Sequence, residues 1–100
     1  MIPKDYTEFE ATLTGSQPLP DWPEGLKALW YDAKGDWEAS HNIAQDLYNQ
    51  LGSWIHAYLH RKEGDRFNAG YWYRQANRPF SKLSLEDELK DIVEYVLQER

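Results

Sequence analysis

The sequence predicts an all-α protein of about six helices. Three observations carry that prediction. Apolar residues recur at helical spacing, most clearly Leu85, Leu89, Ile92, Val93, Val96 and Leu97. Alternating β-branched runs are almost absent, and no Asn-Gly or Asp-Gly hairpin turn occurs. A Gly-Asp pair, which can stop one helix and start the next, occurs twice, at Gly35-Asp36 and Gly64-Asp65.

The elements follow in chain order. "PKDYTEFEATL" places Tyr6, Phe9 and Leu13 on one face of a short amphipathic helix. "TGSQPLPDWP", with three Pro and one Gly, is a loop. Pro23 suits the first position of the next helix, "EGLKALWYDAK", because its missing N–H would be unpaired there anyway. Gly35 closes that helix, and Asp36 caps "WEASHNIAQDLYNQL". Gly52 interrupts, Ser53 serves as an N-cap, and "WIHAYLHRKE" runs to Gly64. Asp65 caps "RFNAGYWYRQA", which Asn77 and Pro79 end. Ser84 with Asp87 resembles a capping box opening "LEDELKDIVEYVLQER", whose outer face is acidic at Glu86, Asp87 and Glu94.

One hundred residues fit a single domain, 1–100. The apolar fraction, 41%, is modest, but five Trp and seven Tyr bury large areas per residue. Seventeen acidic against eleven basic residues, a net charge of -6, argue against nucleic acid or an anionic membrane as partner. The absence of Cys removes disulfides, thiolate metal sites and a cysteine nucleophile. Neither a signal peptide nor a run of 18 apolar residues is present, so a cytoplasmic protein is expected.

The two Gly-Asp pairs lie 29 residues apart. Superposing them pairs Ala28 with Ala57, Lys34 with Glu63, Ser40 with Ala69 and Ala44 with Tyr73. The chain thus reads as two tandem helix–GlyAsp–helix hairpins, 24–51 and 53–79, and a capping helix, 84–100. The second unit resembles a tetratricopeptide repeat in Ala57, Gly64, Asp65, Ala69, Tyr73 and Ala76. The first matches at Ala28, Tyr31, Gly35 and Asp36, and more loosely at Ser40, Ala44 and Leu47. His60 stands where that family has Tyr, Ser53 stands where it has Trp, and the period is shorter than the family's. The resemblance covers about residues 24–79. The strings "HAYLHRKEGD" and "NAGYWY" are also similar to ones in small bacterial proteins of no assigned function. The tetratricopeptide resemblance implies a concave groove lined by the first helix of each hairpin, with Trp54, Tyr58, Arg61 and Lys62 pointing into it. Such a groove, with Arg74 nearby, would hold a protein or peptide partner or a carboxylate. Two repeats are few for a solenoid, so the terminal helices would close the ends, and a homodimer could cover remaining apolar surface.

The chemistry-bearing residues concentrate in 56–78. His56, His60 and Glu63 lie at i, i+4 and i+7, a usable metal spacing, and His41 could join from the neighbouring helix. The glutamate that follows the first His in zinc-protease helices is missing from "HAYLH". The alternative is two boundary histidines bonded to acidic or backbone groups. Arg61 and Arg74 could likewise pair with Glu63, Asp65 or the acidic last helix. Tyr71, Trp72 and Tyr73 cover most of a helix circumference, which predicts a helix packed between two layers. No cofactor is called for, a metal ion apart. The leading expectation is an interaction module. The other is a small-molecule or metal-dependent enzyme built on His41, His56 and His60, with Asp36, Asp65 or Glu63 as acid–base partners.

Overall fold

A computed structural model describes residues 2–98. The fold is all-α: α1 (Tyr6–Ala11), a 3-10 turn (Thr12–Thr14), α2 (Glu24–Ala33), α3 (Trp37–Ala44), α4 (Gln50–Lys62), α5 (Arg66–Gln75) and α6 (Leu85–Gln98). No strand occurs among the described residues.

Local chemistry sets the helix boundaries. Asp36 Oδ1 accepts from the backbone N–H of Ala39 at 3.0 Å, and Asp65 Oδ1 from that of Asn68 at 3.1 Å. These are the same cap in both hairpins. The residues before the caps, Gly35 and Gly64, both have φ 89°, where a side chain would be strained. Asn77 takes the same left-handed role at φ 60°. Each reversal is closed by the same bond: Asp36 N–H to Tyr31 C=O, Asp65 N–H to His60 C=O and Arg78 N–H to Tyr73 C=O, at 2.8, 2.9 and 3.0 Å. Ser84 Oγ accepts from the Asp87 N–H at 3.0 Å, the first half of the expected capping box.

The hairpins α2–α3 and α4–α5 pack side by side through α3 and α4. Ala28, Ser40, Ala57 and Ala69, the small residues aligned in the sequence, are fully buried. Helix α6 lies across α2 and α4, and α1 lies against α6. One apolar core unites all of these, with Leu26, Leu29, Trp30, Ile55, Tyr58, Leu59, Ile92 and Val93 among its most enclosed side chains.

Three local expectations are corrected. Helix α3 ends at Ala44, not Leu51, and α4 starts at Gln50 with Asn49, not Ser53, as its cap; Asn49 Oδ1 accepts from Gly52 N–H at 2.7 Å. Gly52 is needed because the carbonyl of Leu47 lies where a β-carbon would go. Pro23 sits just outside the first turn of α2, as its N-cap residue. Helix α5 is not packed between two layers: α4 covers one side, Tyr73 also reaches Glu88 and Phe80, and the outer side is open, with Phe67 84% and Tyr71 43% exposed.

Candidate metal centre

The Gly-Asp turns dictate where the histidines meet. The turn at Gly35-Asp36 sends α3 back along α2, and the next reversal lays α4 beside α3. His41 therefore faces His56 and His60, which sit one turn apart on α4. Ring centroids are 4.6 Å apart for His41–His56, 5.4 Å for His41–His60 and 4.8 Å for His56–His60. His41 Nε2 and His56 Nε2 approach to 2.9 Å. One ring nitrogen from each of the three histidines lies within 4.8 Å of the others.

Two tryptophans hold the rings in place. Trp37 stacks on His41 at 4.8 Å with planes 10° apart, and Trp72 stacks on His56 at 4.0 Å with planes 18° apart. Trp37 is itself tied down, its indole N–H donating to the Leu59 carbonyl at 2.8 Å. The sequence predicts Trp72 as a packing residue and gives no sign that either indole stacks on a histidine. In hindsight the signal is spacing: Trp37 lies four residues before His41 on the same helix face.

Burial favours the neutral form of His56 and His41. It lowers the pKa of His56 to about 4, the neighbouring His41 and His60 adding to the effect. Burial also lowers His41, with His60 contributing and Glu63 opposing. Neutral imidazoles carry the lone pairs a metal needs. Glu63 lies with His60 and Asp65 in a second group whose ligand atoms are within 4.8 Å of one another. Its Oε2 lies 2.7 Å from His60 Nδ1, which leaves Nε2 of His60 for a ligand. A carboxylate behind a histidine is the usual outer shell of a metal site: it fixes the tautomer and raises the ring's basicity. The member that completes the histidine set is His41, from the other hairpin.

The residues expected to line a groove are placed differently. Trp54 and Tyr58 are buried, and α6 covers their face. Arg61 pairs with Glu88 of α6, its Nε and Nη2 reaching Oε1 at 3.0 and 2.8 Å. Trp54 Nε1–H donates to Glu88 Oε2 at 3.1 Å, and Tyr73 donates to the same carboxylate, 2.7 Å from Oε2. Lys62 reaches Asp32 Oδ1 at 2.9 Å, and the Tyr58 hydroxyl donates to Asp32 Oδ2 at 2.8 Å. Burial, reinforced by the facing carboxylate, raises both tyrosine pKa values and keeps them as neutral donors. Arg74 is exposed, its guanidinium lying along Gly70 of its own helix.

Glu88 and Asp32, both buried, are the functional-looking residues that sequence reasoning missed. Glu88 was legible in principle. It lies three residues after Leu85 and four before Ile92, inside the apolar stripe of α6.

Fold and site together define an all-α protein with a three-histidine cluster bridging two helical hairpins. Comparison with protein-family models, curated proteins and solved structures finds no match for this chain, so the tetratricopeptide likeness remains one of residue pattern. No described helix is long and apolar enough to cross a membrane.

Proposed function

We propose that the protein is a small metal-binding module, holding a transition-metal ion through the imidazoles of His41, His56 and His60. The observation that carries this reading is the 2.9 Å approach of His41 Nε2 to His56 Nε2 beside a third histidine whose Nδ1 is held by Glu63. Around a tetrahedral ion with zinc–nitrogen bonds of about 2.0–2.1 Å, ligand nitrogens stand about 3.4 Å apart. The cluster needs only small side-chain adjustments to reach that spacing. Imidazole suits zinc, copper and nickel, and copper is the strongest competitor of these by intrinsic affinity.

Binding would shift the hydrogen between His41 and His56 to the opposite ring nitrogen, and because each ligating imidazole must be unprotonated, affinity would fall as pH falls. It would also fasten α3 to α4, the seam between the hairpins. Three nitrogens leave a coordination position for water, as in catalytic rather than closed structural zinc sites. The peptide-groove reading is less well supported, because α6 occupies the face it needs.

The test is metal analysis of untagged protein together with cobalt titration followed by visible absorption at pH 7.5. About one equivalent of metal is expected, and His41→Ala and His60→Ala should each abolish stoichiometric binding while far-UV circular dichroism stays native. No uptake at micromolar metal, or uptake unchanged in both variants, overturns the proposal.

A further inference from the structure

A second cavity, of about 430 Å³, opens on the far side of α4, between α4, α5, the connection after Asn77 and the start of α6. It is independent of the histidine cluster. Its walls are mostly apolar, formed by Trp54, Tyr73, Phe80 and Leu83, and two cations stand at it, Arg78 and Lys82.

The state of these charged groups identifies the ligand. Glu88 also lines the cavity, but its carboxylate is spent on Arg61, Trp54 and Tyr73. Asp91 is the other acid of the lining. The left-handed turn at Asn77 carries the chain back, and Pro79 restricts the residue before it. Arg78 is thereby laid over Trp54, its guanidinium carbon 3.4 Å from the indole centroid and 5.5 Å from that of Tyr95. Stacking uses the face of a guanidinium and leaves its N–H edge available. Among the described residues nothing accepts a hydrogen bond from the Arg78 guanidinium, and Lys82 forms no ion pair. An oriented guanidinium with unspent donors, beside an ammonium and an aromatic wall, matches a carboxylate attached to an apolar body. That the rest of the chain is acidic makes this concentration of unpaired cations more specific.

We propose that this cavity binds a small apolar carboxylate. The carboxylate is received by Arg78 and Lys82, and the apolar body lies against Trp54, Phe80 and Leu83.

Phenylacetate, phenethylammonium and acetate separate the contributions of charge and body. Each is titrated into nitrogen-15-labelled protein while the Trp54 indole resonance is followed. Phenylacetate should shift that resonance saturably in the millimolar range or below, and the other two should not. Arg78 is exposed, so Arg78→Ala should fold and bind phenylacetate at least tenfold more weakly; Lys82→Ala should weaken it several-fold. The proposal is overturned if phenethylammonium binds as well as phenylacetate. It is equally overturned if Arg78→Ala improves binding of the ammonium, since Trp54 and Tyr95 would then be a cation cage that Arg78 fills. Absence of any Trp54 shift up to ten times the expected millimolar range also overturns it.

Discussion

His41 Nε2 stands 2.9 Å from His56 Nε2, and the two rings belong to different hairpins. At that distance one proton is shared and two cannot be accommodated. Burial, with His41 and His60 adding to it, lowers the His56 pKa from its ordinary 6.5 to about 4. Between those values the unfolded chain takes up a proton that the folded protein refuses. Stability is therefore fully present above about pH 6.5 and is lost as pH falls toward 4. At about 1.4 kcal/mol per pKa unit the loss is at most roughly 3.5 kcal/mol. Urea unfolding at a series of pH values should show this slope, and His56→Gln should flatten it. A metal ion would steepen it, because protons then compete for the ligands.

Glu88 supports the opposite face of α4. It is buried and receives Arg61, Trp54 and Tyr73 at once. Glu88→Gln leaves Arg61, whose side chain is only 15% exposed, without a counter-charge. Breaking one side of such a pair costs about 3–5 kcal/mol, which is a large part of a small domain's stability. The midpoint of urea unfolding should drop accordingly. Adding Arg61→Met should recover part of the loss, because it removes the stranded charge; no recovery would mean that Glu88 acts mainly through Trp54 and Tyr73.

Ser40 makes the reverse case. Its hydroxyl is buried and has no hydrogen-bond partner among the described residues. The site demands a small residue, since α2 and α3 approach closely there, as the paired Ala69 does in the second hairpin. Ser40→Ala removes a desolvated polar group without changing the packing volume much. Stability should rise by about 1 kcal/mol, read as a higher thermal midpoint, with the metal site unaffected. A fall would show that the hydroxyl is hydrogen-bonded in solution.

The helices were legible because their ends are chemical: Asp36, Asp65, Gly35, Gly64 and Asn77 announce themselves locally. Where the boundary depends on tertiary contact, as at Leu47 against Gly52, sequence reasoning placed it wrongly. His56 and His60 are legible as a spacing on α4, and His41 as a candidate to join them from the neighbouring helix. Its arrival depends on the packing of α3 on α4. Pairing of Arg61 with the acidic last helix is one of the two sequence expectations, and Glu88 fulfils it, but nothing local singles out Glu88 for Arg61 or Asp32 for Lys62. Long-range charge pairing has no periodicity to read.

Glu63 offers the most discriminating test of the metal site. Its Oε2 lies 2.7 Å from His60 Nδ1, on the side of the ring away from Nε2. If the cluster binds metal, the carboxylate fixes His60 with its Nε2 lone pair toward the ion and strengthens it as a donor. Glu63→Gln keeps the size and a hydrogen-bond acceptor but removes the charge, and its amide can also donate to Nδ1 and favour the wrong tautomer. Outer-shell changes of this kind weaken metal binding about 10–100-fold. Glu63 is half exposed at the C-terminal end of α4, so folding should be little altered. Competition against a chelator of known affinity reads the change in metal affinity, and the urea midpoint of the metal-free protein serves as control. A tenfold or greater loss of affinity with an unchanged midpoint is expected. Equal affinities would mean that the Glu63–His60 bond belongs to the helix end alone, and that His60 contributes without outer-shell support.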